Sequence, residues 1–434
     1  MNLPDVVSGQ LPAQGRRVCV AFSGGLDSTV LLHLLHAIAA EHMLQLQAVH
    51  VHHGLSPKAD GWAAHCEAVC ASLGVPLHVE RVQVSRDDPR GVESAAREVR
   101  HAVLAAQDVD WIALAHHRDD QAETVLMRLV RGAGVDGMAA MRVQDPARRL
   151  WRPLLDVSHA DLLAWAQAHG WHWIEDDSNR DTHYARNHLR HVVMPAIATH
   201  WPGAVTTIAR AAGHFAEAGE LLAGLAGQDI ACVRPGDDGA RTRLRDLSEA
   251  RARHVLRTLL AERGERMPDT RHLQESLRQL KGTAAVRFAH GATAFCAYRD
   301  AFWLEAASGE ARPGAWQGEA ERSWWNGALH FEPASGPTAL RLQAGTLLDR
   351  KRPGDRLRLH ANGPSHDFRQ LAQARAVPPW WRERLPVLRA ADGMPLWIGG
   401  LGAAVEARCG DGERGWRVRW QVSLPPMMSK EENE

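Results

Sequence analysis

Apolar and polar positions follow three different rhythms along the 434 residues. From residue 1 to about 215, short apolar runs rich in β-branched residues alternate with amphipathic stretches. That is the pattern of a parallel sheet with helices packed on its faces. The expected strands are 18–22, 47–52, 77–82 and 111–115, each followed by a polar or Gly-containing turn and a helical period. Residues 205–235 read as helix and lead into the second stretch. There, 247–264 and 269–282 predict two amphipathic helices, and alternating runs at 285–288, 293–298 and 302–305 predict a hairpin. Residues 307–322, rich in Gly, Ala and Glu, predict a linker. The third stretch mixes short strands with one helix near 367–375, and the charged SKEENE tail is expected to be disordered. No internal repeat is visible.

The expected fold class is therefore α/β. A doubly wound, mostly parallel sheet fills an N-terminal domain (1–215). A mainly helical middle domain (216–310) and a small α+β C-terminal domain (323–425) follow.

Composition narrows the picture modestly. The residue content is that of a globular chain with ample core. No apolar stretch is long enough to span a membrane, and the first residues lack a charged segment followed by an apolar one, so a cytoplasmic location without a membrane partner is expected. The formal net charge is zero, which argues against polyanion binding by the whole surface but leaves room for a local basic face. Only four of the 51 basic residues are lysines; coding bias is the main reading, although arginine also suits phosphates and bases. The six cysteines are scattered and form no CxxC, so neither a disulfide framework nor a redox pair is expected.

The candidate chemistry lies at the ends of the expected strands, where open α/β sheets bind ligands. The run Ser23-Gly24-Gly25-Leu26-Asp27-Ser28 joins a strand directly to a helix. Backbone N–H groups in such a turn, with the positive end of the helix dipole, form an anion site. The missing Gly-Lys-Ser/Thr rules out a Walker A loop. Ser23 and Ser28 can donate hydrogen bonds, and Asp27 can hold Mg²⁺. His50 ends the second strand, where it can contact adenine or ribose. His116, Asp119, Asp120 and Glu123 open the helix after the fourth strand, suited to holding Mg²⁺ or positioning a nucleophile. Arg97 and Arg100 share one helical face and can neutralise an α-phosphate. The acidic run beginning at Glu175 suits a cationic group, and Arg186, Asn187 and Arg190 suit an RNA backbone or a flipped base.

These residues together resemble the tRNA(Ile)-lysidine synthetase family of PP-loop ATP-pyrophosphatases. The resemblance rests on SGGLDS at 23–28, VHVHHGLSPKAD at 49–60, the 93–100 stretch, 115–141, RPLL at 152–155 and 173–197. It covers nearly the whole first domain and extends more loosely to 245–305, to 352–356 and to 377–382. Two positions depart from the family pattern. Arg369-Gln370 stands where a lysine pair is usual, and His101 where tyrosine is usual.

The resemblance implies a PP-loop (HUP-like) fold and a two-step ligase. The C2 oxygen of the wobble cytidine in an isoleucine tRNA with a CAU anticodon attacks the α-phosphate of ATP, and pyrophosphate leaves. The ε-amine of L-lysine then attacks C2 and expels AMP, giving lysidine. In that scheme residues 23–28 hold pyrophosphate, Asp27 with Asp119 or Asp120 holds Mg²⁺, and Arg97 faces the α-phosphate. Glu123 or Glu175 attracts the lysine ammonium, and His116 is the candidate base. Family members are often dimers, so a homodimer is an option. The alternative is a PP-loop enzyme that thiolates tRNA, which the absence of a CxxC disfavours.

Overall fold

A computed structural model describes residues 2–85, 87–89, 91–176 and 181–422. The chain forms two compact units, Met1–Leu221 and Leu222–Glu434. None of the helices among the described residues is long and apolar enough to cross a membrane.

In the first unit, α1 (Leu3–Ser8) precedes β1 (Arg17–Ala21). The order continues α2 (Leu26–Ala39), β2 (Gln45–His52), α3 (Ala59–Leu73), β3 (Leu77–Arg81), α4 (Val92–Ala105) and β4 (Trp111–Ala113). Next come α5 (Arg118–Val130), α6 (Val135–Met138), β5 (Gln144–Asp145), β6 (Leu150–Trp151) and α7 (His159–Ala168). The six strands form one sheet in the order β3-β2-β1-β4-β6-β5, parallel except for the β5–β6 pair. Strand order runs outward in both directions from β1 and β4. The loops leaving these two neighbours therefore diverge and open a crevice at their carboxyl ends. Val18, Val20, Phe22 and five apolar residues of α2 between Val30 and Leu35 are buried in the core beneath it.

The fourth strand ends two residues before the expected boundary, although Leu114 still donates to the carbonyl of Trp151. The unit is completed by α8 (Ala185–His188), one π-helical turn at Leu189–Val193, and α9 (Met194–His200). Helix α10 (Ala204–Val233) carries the chain into the second unit.

The second unit begins with α11 (Ala240–Asp246), α12 (Glu249–Glu262) and α13 (Thr270–Lys281) packed on β7 (Val286–His290), β8 (Thr293–Tyr298) and β9 (Ala301–Ala306). The expected hairpin is thus a three-stranded antiparallel meander.

The expected linker at 307–322 is overturned. It contains β10 (Gly314–Ala315) and the start of β11 (Glu321–Trp324), and it buries Ala311 and Trp316. Trp316 stacks on Phe331 at 5.0 Å and donates its indole N–H to the Glu319 carbonyl. Its burial outweighs the loop-like composition around it.

The remaining elements are β12 (Gly327–Ser335), β13 (Leu347–Asp349), β14 (Arg356–Leu357), β15 (His366–Asp367) and α14 (Phe368–Ala374). They are followed by α15 (Pro379–Arg382), β16 (Val387–Arg389), β17 (Pro395–Ile398), β18 (Gly402–Ala403) and β19 (Arg414–Gln421). They build a five-stranded sheet (β10-β13-β16-β17-β18), a three-stranded one (β11-β12-β19) and a two-stranded ribbon (β14-β15). Trp316, Trp324, Trp381 and Trp420 lie in their shared core. Besides the helix expected near 367–375, the short α15 lies in this part of the chain. Pro379 at its first position favours that turn. The SKEENE tail lies outside the described residues.

Candidate functional site

The glycine turn after β1 is shaped by its own serines. Ser28 Oγ donates to the Gly25 carbonyl (3.1 Å), accepts from the Ser23 N–H (3.3 Å) and meets Ser23 Oγ at 3.0 Å. Gly24 has φ +82°, and a Cβ there would lie 2.6 Å from Ile174 Cδ1 and 2.9 Å from Cys66 Sγ. Only glycine fits on both counts. Gly25 differs: its nearest neighbours would be 3.6 Å and 3.9 Å away, so the fold itself leaves room over it. Gly25 is the N-cap of α2, and the first-turn N–H groups of a helix have no intrahelical acceptor. The Leu26 side chain packs against the core, which leaves its backbone as its contribution to the loop.

His50 is buried beneath this loop: Nδ1 lies 3.0 Å from the Phe22 carbonyl and 3.4 Å from Cys66 Sγ. Its ring fixes the strand end that feeds the loop. Ile174 donates its N–H to the Gly24 carbonyl at 2.8 Å, which brings the exposed Glu175 to the loop as the next residue. The acidic run beyond Asp176 lies outside the described residues. Arg97 and Arg100 are exposed on α4.

The loop after β4 supplies the second wall. His117 is 1% exposed and surrounded by carboxylates. Its Nε2 lies 3.7 Å from Asp27 Oδ2 and 3.4 Å from Asp120 Oδ2, and its Nδ1 3.5 Å from Asp119 Oδ2. Burial disfavours the charged ring, but Asp119, Asp120 and Asp27 outweigh it and raise its pKa. Burial and the nearby Asp120 charge raise that of Asp27 against the pull of His117. Asp119 is held down to about 2. Burial opposes this shift, and the His117 ring and the His159 N–H (2.9 Å) produce it.

His116 behaves oppositely. Burial, with Arg152, Arg186 and Arg100 nearby, lowers its pKa to about 3, and its Nδ1 accepts from Arg152 Nε at 3.3 Å. Of the two adjacent histidines, only His117 has surroundings that raise its proton affinity. The sequence offered only the His-His pair as a signal. Arg152, buried and bonded to the Arg142 carbonyl at 2.8 Å, was visible only as the start of RPLL.

Asp120 and Glu123 are taken by arginines. Arg186 reaches Asp120 at 2.9 Å and Glu123 at 2.8 Å; Arg190 reaches them at 2.7 Å and 2.6 Å. Two buried carboxylates and two guanidinium groups form a closed quartet. Glu123, expected to meet an ammonium, instead positions Arg186 and Arg190. Asn187 donates to the Asp181 carbonyl at 3.0 Å, which fixes the entry to α8.

For a divalent cation, Asp27 Oδ1 is a buried oxygen with no hydrogen-bond partner among the described residues, and hard carboxylate oxygens are the donors Mg²⁺ prefers. The donor set fits, although no group of three or more His, Cys, Asp or Glu among the described residues forms a complete metal cage. Mg²⁺ usually keeps several waters, so one or two carboxylates suffice.

Three family models match the chain: a PP-loop domain over residues 5–197, a TilS substrate binding domain over 240–303 and a TilS substrate C-terminal domain over 347–420. A tRNA(Ile)-lysidine synthase from Aromatoleum aromaticum is 47% identical over 418 residues, covering 94% of this chain and 98% of the relative. One from Pseudomonas aeruginosa is 43% identical over 435 residues, covering 93% and 92%. Among solved structures, the U34-tRNA thiolase NcsA from Methanococcus maripaludis with its 4Fe-4S cluster is 16% identical, with a TM-score of 0.42 over 50% of this chain and 78% of its own.

Proposed function

The chain belongs to the tRNA(Ile)-lysidine synthase family, and from that premise we propose that it ligates L-lysine to C2 of the wobble cytidine of the CAU-anticodon isoleucine tRNA, consuming ATP and releasing AMP and pyrophosphate. The observation that carries this reading is the approach of Asp27, in the glycine loop, to within 3.7 Å of His117, in the loop after the neighbouring strand. A phosphate cradle and a ring of proton-handling groups thereby face one crevice.

In this reading the backbone of residues 23–28 receives the pyrophosphate end of ATP, and the lack of any steric demand of the fold for glycine at Gly25, where a Cβ would meet only ordinary contacts, supports that role. A Mg²⁺ ion held by Asp27 and Asp119 supplies neutralising charge for the departing pyrophosphate. Arg97, exposed on α4, meets the α-phosphate as charge develops there. Asp120 and Glu123 hold Arg186 and Arg190 toward the tRNA, with Asn187 beside them on α8.

The lysine amine must be neutral to attack C2, and its proton needs an acceptor. The low proton affinity of His116 speaks against it at neutral pH, and the carboxylate-flanked His117 suits the role better. Glu175, next to the loop, is the carboxylate we assign to the lysine ammonium. The reaction belongs in the cytoplasm, where ATP and tRNA meet.

The thiolating alternative needs a reactive thiolate or a cluster. Burial pushes the Cys19 and Cys70 thiols up to about 11 and Cys66 up to about 12, and the chain has no CxxC. The deciding experiment supplies the purified protein with ATP, Mg²⁺, labelled lysine and the CAU isoleucine tRNA. Label in the wobble cytidine supports ligation. Its absence, alongside sulfur at the same base, overturns the reading.

A further inference from the structure

The chain is neutral overall, yet residues 350–375 carry seven Arg or Lys against two Asp. Both acids are spent internally. Asp355 lies in a bidentate pair with the fully buried Arg389, 2.7 Å to each oxygen, and Asp367 caps the α14 backbone through the Gln370 N–H at 2.8 Å. Arg389 also bonds the Arg350 carbonyl at 2.8 Å, which clamps the 350–355 loop into one shape. Lys351, Arg352 and Arg358 are paired with Glu383, Asp349 and Glu406. The Arg350 and Arg369 side chains have no ion-pair partner among the described residues, and both are exposed. The result is a basic surface on a preset loop and an adjoining helix, complementary to a polyanion.

A cavity of about 350 Å³ opens within the same segment. Leu359, Pro364 and Leu371 give it apolar walls, and His360, His366 and Arg375 stand around it. Gln370, the residue after the exposed Arg369, also lines it. Apolar walls with imidazole and guanidinium groups are what an unstacked base needs: faces to lie against and donors for its edge. A duplex offers no base free to enter such a space.

We propose that this cavity seats one unpaired nucleobase of the RNA, with the adjoining phosphates carried by Arg369 and the 350–356 loop. The inference rests on the tRNA substrate of the proposed function and adds a docking site for a single-stranded nucleotide within the second unit.

The test uses the full chain and the isoleucine tRNA. Ala374→Trp fills the cavity from an exposed helix position, and His360→Ala removes an exposed ring beside it. The wild type should shield the Watson–Crick edge of one unpaired nucleotide from chemical modification. Both variants should restore its reactivity and raise Kd for the RNA about tenfold, with thermal melting unchanged. If Ala374→Trp does not fold, His360→Ala carries the same readouts. A wild-type footprint confined to paired backbone overturns the proposal, as does unaltered shielding in the folded variants. The two readings separate cleanly. Expected footprints without lysine incorporation sink the ligase reading alone, and lysine incorporation with unaltered footprints sinks the cavity alone.

Discussion

Two adjacent glycines in the first loop have different reasons to be glycine, and that difference is measurable. Gly24 is fixed by the fold, through a positive φ and the contacts with Ile174 and Cys66. Gly24→Ala should therefore destabilise the first unit by about 1–3 kcal/mol, seen as a lower melting temperature without any ligand. Gly25→Ala should melt like the wild type and lose ATP affinity instead, because its Cβ would enter the space left for phosphate; equal melting losses in both variants would contradict this. The motif was legible because all its parts are contiguous. The quartet of Asp120, Glu123, Arg186 and Arg190 was not, because its partners lie 63 to 70 residues apart in sequence. The contrast between His116 and His117 was hidden for another reason. Adjacent residues point in different directions, and only the packed loop shows which ring meets carboxylates.

Expected strands match observed ones closely where a β-branched run ends in a glycine turn, as at β1 and β2. Strands β5 and β6 escaped notice because two residues carry no periodicity. The supposed linker misled because one buried tryptophan decides its fate while its neighbours look like loop. Within the second unit, β9 is tied to the segment around α15 through Glu305. Glu305 accepts from Arg287 (2.8 Å), Trp381 (2.8 Å) and Arg384 (2.7 Å), at only 8% side-chain exposure. Removing the carboxylate leaves the nearly buried Arg384 without its partner, so Glu305→Ala should cost about 3 kcal/mol at neutral pH. Burial works against the Glu305 charge, but its donors win and hold its pKa below 4.5. Its stabilising contribution is therefore complete above pH 4.5 and is lost as pH falls through the folded value. In denaturation series from neutral to acid pH, the gap between wild type and variant should narrow below 4.5; a constant gap would show that the charge is not what matters.

At the scale of the whole molecule, the groups assigned to chemistry lie in the first unit, and the second carries a local excess of positive charge at 350–375. A chain of zero net charge must bind RNA through such local charge, and each phosphate contact adds about 0.9 to the salt slope. Replacing Arg350 and Arg369 together by alanine should lower the slope of log K against log salt by about two, whereas an unchanged slope would place the RNA backbone elsewhere. The central claim is that the RNA base, and not the amino acid, is activated by ATP. It is tested most directly with α-labelled ATP and the isoleucine tRNA in the absence of lysine. The expected result is AMP label on the RNA with release of pyrophosphate, discharge of that label when lysine is added, and no labelling by Asp27→Ala. Label that never reaches the RNA, or that forms an adenylate of lysine without RNA present, would contradict it.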